Sequence, residues 1–595
     1  MTSLRNLPNW RDPLDYRVDC PGQPCVPNQR GRGFTSSTRD ITWWTPLHSY
    51  LLLGLATLGC LLPFSGKAFH IDDPLFVWTA QQIAHDPFNP YGFHLVWSVT
   101  DMPISAVMKN PPLSSYYGAL IGVTAGWSEK AWHVGFLLPA LALVLGIYRL
   151  AEQFTASPLI AAAATLFAPG FLVSATGVMC DVTMLALWVW AVIFWLKGID
   201  SGKPLHFAAS SLLMAACALT KYFGASLILL LCAYSFFRLR RLGVWVWYLL
   251  IPLASLTCYQ LWSKALYGRD LLLDAARYGH SPQPVDQALR LVGGHGLEGL
   301  SFLGGCALPV LLFSPLLWNH RQLIFGGLAG AIAGLALGMQ WVDSLDPMNP
   351  LIQQPVHHGL WISAQFGFYV AGGISVLGLA IADYRKRREA DSILLTLWVL
   401  GTFLFTAFLN WTVNARSVLP LIPPASILLA RRLDESRVGS SRWSTAKSVV
   451  PFVLSAIVAL SIARGDTAFA NSERSLASFI HGRTQNQVGN VFFEGHWGFQ
   501  YYMQLFGARP LEYDRFAFQD GDVVVAPESG ADTFPIPPKF VAAQEALEID
   551  SHAHAATMAL GAGFYSSLWG PLPFSFGRVP AKPYLFVRLR QPDQP

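Results

Sequence analysis

Over most of this chain the hydrophobic positions neither alternate as in a half-buried strand nor form the narrow stripe of a surface helix. They run apolar all round, as in helices surrounded by apolar neighbours. Runs of ~20 such residues are long enough to cross a ~30 Å hydrocarbon core, and they recur between residues 47 and 464. The pattern predicts thirteen spans, near 47–64, 131–150, 157–175, 182–198, 205–220, 222–237, 243–262, 299–318, 322–340, 361–382, 391–409, 417–430 and 448–464. Beyond residue 465 the apolar runs shorten. NVFFEG, DVVVAPE and PYLFVRLR read as buried strands, and HWGFQYYMQLFG as a helix between the first two. The expected fold is a polytopic α-helical membrane protein with a small C-terminal α/β domain. Its parts are a polar tail (1–46), a transmembrane domain (47–464) with a first loop at 65–130, and the α/β domain (465–595).

Composition supports this reading. Of 595 residues, 53% are apolar and only 13% charged, against about 25% charged in soluble domains. The formal charge of +5 is modest and sits in short clusters between spans. Such clusters orient a chain in a bilayer, so nucleic acid is not an expected partner. The tail, rich in Arg and Pro, does not read as a cleavable signal peptide. The eight cysteines show no spacing of a disulfide framework or zinc site; most lie in or beside apolar runs, as packing residues do.

A cytoplasmic N-terminus puts the basic clusters on one side. These are Arg30, Arg32 and Arg39; Arg149; Lys197 and Lys203; Arg238, Arg240 and Arg241; Arg385 to Arg388; and Arg431, Arg432, Arg437, Arg442 and Lys447. The same register forbids Leu113 to Gly126 from crossing, so that stretch is expected to be interfacial or re-entrant on the outer surface. Asp72, Asp73, Lys109, Asp181, Lys221, Arg416 and the C-terminal domain then share the outer face. No internal repeat of the transporter kind stands out.

Several of these residues have chemistry in reach. Asp73-Pro74 suits the start of a helix, which leaves Asp72 as one carboxylate more than a cap needs and a candidate general base. Lys109, in MKNPPLSSYY, is either a snorkelling lysine or a cation for a lipid phosphate. Asp181 and Lys221 interrupt or abut apolar sequence, where a charge costs roughly 2.5–3.5 kcal/mol at the helix centre. They either pair with each other or line a polar pocket with the first loop. Arg416, in NWTVNARSVLPLIPP, is a positive charge where none is expected, fit to hold a departing phosphate. Tyr116, Tyr117 and Asn414 are expected to line the same pocket. Glu494, His496 and Trp497 stand at a strand-to-helix junction and are candidate sugar or acceptor contacts. His357-His358 and His552/His554 lack a completing ligand set, so no metal site is expected.

The order of these features resembles the protein O-mannosyltransferase and aminoarabinose-transferase superfamily of membrane glycosyltransferases with the C-type fold. The likeness is carried by the acidic pair after the first span, Lys109-Asn110-Pro111-Pro112, Asp181, Thr220-Lys221, Arg416 before LPLIPP and the C-terminal domain. The chain has Asp73 where the family usually has Glu, an extra Asn110 before the prolines, and Ser417 where the family has Tyr. The WWDYG signature of oligosaccharyltransferases is absent. The resemblance implies that Asp72 and Asp73 form the catalytic acidic pair, with Asp72 in the catalytic position, and that Lys109, Lys221 and Arg416 bind the donor phosphate.

The expected activity is inverting transfer of a sugar from a polyprenyl-phosphate carrier to a hydroxyl acceptor at the extracytoplasmic face of the plasma (inner) membrane. It requires no nucleotide, consistent with the absence of a Gly-rich phosphate loop. It calls for no cofactor, though a divalent ion beside the acids is compatible with it. The rival expectation is a transporter or flippase for a lipid-linked sugar or another amphiphile.

Overall fold

Apolar side chains on every face leave a segment's backbone to satisfy its own hydrogen bonds, and the chain answers with helices. The computed structural model describes residues 46–97, 99–278, 285–339, 359–438, 445–486, 489–515, 517–528 and 533–591. The N-terminal tail, including Cys20 and Cys25, lies outside them, as do His357-His358 and Arg442.

Among the described residues eight helices are long and apolar enough to cross a membrane. They are Pro46–Phe64, Glu129–Ala151, Cys180–Ser201, Tyr222–Leu239, His320–Gly338, Leu360–Arg387, Ala390–Leu409 and Val449–Thr484. Gly293–Cys306 and Leu308–Leu317 make a ninth if counted together, but they meet at a bend of 85°. Of the other expected spans, 243–262 forms one unbroken helix of 23 residues, Trp245–Tyr267, that is less apolar than the eight; the rest are shorter or broken. The stretch 157–175 divides into Pro158–Leu166 and Pro169–Ser174, the second opened by its proline. Pro204–Thr220 is apolar but short. The stretch from 415 passes through Ala415–Val418 and a tight turn at Leu419–Leu421 before Ile422–Val438. Leu113–Ala125 has 13 residues, about 20 Å of helix, too short to cross.

Glycines let three helices approach backbone to backbone. A Cβ on Gly373 would stand 2.2 Å from the Leu300 carbonyl oxygen, and one on Gly330 would stand 2.4 Å from that of Gly367. Small residues at such crossings are how helices pack where lipid removes the hydrophobic drive.

The C-terminal sheet has five strands in the spatial order Arg509–Pro510, Val491–Phe493, Val523–Pro527, Lys582–Leu589, Val541–Ile549. The first three run parallel and the last two pair antiparallel. The three strands and the helix Trp497–Leu505 read from the sequence are all present. The expected boundary at 465 differs from what the chain does. A single helix, Thr445–Thr484, runs through it for 40 residues, and Leu47–Pro595 forms one compact unit. Ala555, Phe564, Tyr565, Leu572 and Phe574 are buried in the same core as the spans. The apolar run ends at Arg464 and Asp466 in sequence, yet Asp466 is buried against a lysine from the first loop, so the helix continues inward.

The basic loops gather at one end of the helices. Arg431 pairs with Asp383 at 2.9 Å, and Arg387 and Lys386 pair with Glu435 at 2.8 and 3.0 Å. Asp434 accepts from Ser157 at 2.6 Å, and Arg149 pairs with Glu152.

Candidate active site

The first loop is built around Asp73. Its side chain is fully buried, and its two oxygens accept from the backbone N–H groups of His70 and Val178, each at 3.0 Å. Burial, partly offset by Lys67 and by those two hydrogen bonds, pushes its carboxyl up to about 6. That double grip holds the preceding turn in an unusual shape. Ile71 has φ 50°, a left-handed conformation that a β-branched residue adopts only under constraint, at a cost of about 1–3 kcal/mol. Asp73 is thus tied into the loop through both of its oxygens. Asp72 is the one presented. It precedes the helix Asp73–His85, caps nothing with its side chain, and keeps 29% of that side chain exposed.

Arg416 meets it. Its Nη1 donates to Asp72 Oδ2 at 3.0 Å and lies 2.8 Å from Met179 Sδ, while its buried Nε has no hydrogen-bond partner. The local chain explains its position. The span from Ala390 ends in a π-helical turn, Phe405–Leu409, and Asn414 caps the short helix Ala415–Val418 by accepting from the Ser417 N–H at 2.8 Å. Asn414 is thus a buried cap.

Met179 leads directly into the helix Cys180–Ser201, whose first turn carries Asp181. Asp181 accepts from Lys221 Nζ at 2.5 Å, with 4% and 21% of the two side chains exposed. So Asp72, Arg416, Asp181 and Lys221, the outermost two 344 positions apart in sequence, come together at the ends of their elements. Each cation has a carboxylate partner, and the four formal charges cancel.

Lys109 donates to the Ala106 carbonyl at 2.7 Å. Burial, with Arg269 nearby, holds its ammonium below the ordinary lysine value, and Asp274 acts against both. Its charged neighbours thus come from the segment after the helix Trp245–Tyr267. Between Lys109 and Lys221 lies a set of tyrosines. Tyr91 donates to the Asn110 carbonyl at 2.7 Å and its ring is 5.7 Å from that of Tyr267. Tyr222, next to Lys221, donates to Tyr259 at 3.4 Å. Tyr116 and Tyr117 donate to the carbonyls of Pro87 at 2.5 Å and Gly135 at 2.6 Å.

In the C-terminal domain Glu494 is 2% exposed and accepts from the Tyr513 hydroxyl at 2.7 Å and the Phe534 N–H at 3.0 Å. Both of its oxygens are engaged within the domain. His496 stacks on Trp97 of the first loop at 4.3 Å, and Trp497 packs edge-on to Trp569 at 5.9 Å.

Sequence reasoning missed a buried ion network behind the site. Lys67 pairs with Asp466 at 2.6 Å, with 1% and 0% of the side chains exposed. Asp466 also accepts from Thr557 at 2.6 Å and Tyr565 at 2.9 Å. The Tyr565 ring in turn lies 5.7 Å from the Arg416 guanidinium. His70 sits 3.7 Å from Asp466 and 4.0 Å from Glu473, and Glu473 pairs with Lys582 at 3.3 Å. Among the described residues no three His, Cys, Asp or Glu side chains group closely enough to hold a metal ion.

No curated protein matches the chain. Among the solved structures that are similar at a distance are the following. The archaeal oligosaccharyltransferase AglB from Archaeoglobus fulgidus, in complex with an inhibitory peptide and a dolichol-phosphate, aligns at 12% identity and TM-score 0.46, over 81% of this chain and 69% of that one. ArnT from Cupriavidus metallidurans bound to undecaprenyl phosphate aligns at 12% identity and TM-score 0.37, over 81% and 94%. ArnT in the apo state aligns at 13% and 0.34 over the same shares. Likenesses this distant leave the fold to rest on the chain's own helices and packing. Residues 109–262, which hold Lys109, Asp181 and Lys221 but neither Asp72 nor Arg416, match the family described as Dolichyl-phosphate-mannose-protein mannosyltransferase. The resemblance of the chain to the mannosyltransferase and aminoarabinose-transferase superfamily therefore rests on a family match over that stretch.

Proposed function

We propose that the chain is an inverting membrane glycosyltransferase of C-type architecture, moving a sugar from a polyprenyl-phosphate carrier to a hydroxyl acceptor on the extracytoplasmic face. The carrying observation is the contact between the half-exposed Asp72 and an Arg416 that has a buried donor to spare. The match of residues 109–262 to a dolichyl-phosphate-mannose-dependent family supports the same donor class.

In this reading the resting ion pair is a latch. A lipid phosphate takes up the free Nε of Arg416 and competes for its Nη1, which frees Asp72 as a base. The acceptor oxygen then forms a bond to the anomeric carbon from the face opposite the phosphate, and its proton passes to Asp72. The bond from that carbon to the phosphate oxygen breaks, with the electron pair left on a phosphate held by Arg416 and Lys221. The phosphate is already the leaving group, so no nucleotide takes part. Lys109, among the tyrosines, would meet the outer part of the donor.

The test uses membranes containing the full chain, supplied with undecaprenyl-phosphate-linked mannose, glucose or aminoarabinose, with products read by mass spectrometry. Asp72→Asn should lower transfer by about 10²–10⁴-fold, the usual share of a general base, at unchanged protein level. Full turnover in Asp72→Asn would remove the base assignment. Movement of the donor across the bilayer with its glycosidic bond intact would make the chain a transporter.

A further inference from the structure

A second cavity, of about 180 Å³, lies where the C-terminal domain meets the long helix Thr445–Thr484. His496, Trp497, Glu473, Trp569, Lys582 and Ser551 are among its walls. We propose that it is a binding site for one neutral pyranose ring, separate from the Asp72–Arg416 site and standing whether or not the transferase reading holds.

Size comes first. The cavity is well below the ~300–1,000 Å³ typical of sites for drug-sized ligands, and it suits a single ring. Its chemistry has the two halves that sugar recognition needs. Trp497 and Trp569 are both half-buried, with ring centroids 5.9 Å apart at 61°. Together they form an angled wall against which the C–H face of a pyranose can pack. Trp497 is held in that position at φ 64°, a left-handed backbone that a bulky residue takes only under constraint.

The polar half is a buried ion pair with an unpartnered hydroxyl nearby. Glu473 is 2% exposed, and Lys582 Nζ reaches its Oε1 at 3.3 Å. Its Oε2 is turned to His70, whose Nδ1 lies 4.0 Å away. The Ser551 hydroxyl is buried and unpartnered. Buried polar atoms are almost always paired, so an unpartnered hydroxyl beside the Glu473–Lys582 pair on one small cavity points to a ligand that supplies hydroxyls. Glu473 is already balanced by Lys582, which favours a neutral sugar over a charged one.

The walls tie the cavity to the catalytic loops. His496 stacks on Trp97 of the first loop. Just before Trp569, the Ser567 N–H donates to the Val413 carbonyl at 2.8 Å, three residues before Arg416. A ring bound here sits beside the site as part of a glycan or as a free sugar.

The experiment is a tryptophan-fluorescence titration of the full chain in detergent with the methyl glycosides of mannose, glucose, galactose and glucuronic acid. At least one neutral glycoside should saturate the signal, with glucuronide at least tenfold weaker. Trp569→Ala and Glu473→Gln should each weaken binding at least tenfold, and Asp72→Asn should leave it unchanged. Ala581→Trp fills the cavity from its wall while keeping both contacts, and should abolish binding even if either other variant fails to fold. A disaccharide ending in the preferred ring should bind as well as the methyl glycoside if the ring is a glycan terminus, and more weakly if it is a free sugar. Absence of saturation by every neutral glycoside, or binding unchanged in Ala581→Trp, overturns the proposal.

Discussion

At Asp73 two backbone N–H groups share one carboxylate, and that sharing fixes what a substitution does. Asparagine offers one oxygen, so Asp73→Asn strands one buried N–H, at a cost of about 1–3 kcal/mol. The pH dependence is set by burial, which raises this carboxyl from 3.8 to about 6. A raised pKa means the folded chain binds a proton that the unfolded chain does not. The associated stability is therefore complete below the unfolded value and is lost as pH rises through about 6. Measured by thermal unfolding, the advantage of wild type over Asp73→Asn should grow as pH falls from 7 to 5, by up to about 1.4 kcal/mol per unit. A gap that shrinks over that range contradicts the assignment. Arg416→Lys tests the neighbour. A lysine keeps the charge but not the fork that holds Asp72 and leaves Nε free, so transfer should fall ~10²-fold, as when one oriented donor is lost. An unchanged rate would show that charge alone suffices. These side chains were legible because an isolated charge beside an apolar run must be explained. Lys67 and Asp466 were not, since each sits at a span end where a charge reads as a boundary. Their contact joins residues 399 apart in sequence.

Elements were legible where their period was strong. The strands at 491, 523 and 582 and the helix at 497 appeared as read, because alternation and turn residues are local properties. The breaks were not legible. The bend of 85° at Ala307 and the π-helical turn before Asn410 depend on what packs against them. Glycine crossings are likewise invisible in a hydropathy pattern, yet they set how closely helices approach. Gly373→Ala places a methyl group 2.2 Å from the Leu300 carbonyl oxygen, and neither backbone can yield without moving its helix. The expected cost is about 1–3 kcal/mol, as for overpacking, seen as a lower thermal midpoint in detergent. Gly401→Ala, where no atom lies within 4 Å, should be neutral or slightly stabilising. Equal midpoints for the two variants would mean that the crossing is looser than described.

For the whole molecule, sidedness is the property on which the external site depends, and the helices allow it to be argued from geometry. Lys221 lies at the site end, bonded to Asp181. From there Tyr222–Leu239 runs 18 residues, which is about 27 Å of helix and close to the hydrocarbon thickness. The turn that follows, with Arg240, Arg241 and the exposed Leu242, must then emerge on the opposite side. Phe88, 82% exposed in the first loop, belongs to the side of Asp72. With the eight native cysteines replaced, Phe88→Cys should react with a membrane-impermeant maleimide on intact cells, and Leu242→Cys only after permeabilisation. The reverse pattern would turn the active site toward the cytoplasm and leave the basic clusters outside, against the bias that orients membrane proteins. Labelling of both from one side would mean that Tyr222–Leu239 does not cross. The contacts joining Asp72, Arg416, Asp181 and Lys221 would survive that result, but they would no longer lie at the surface where a lipid-borne donor arrives.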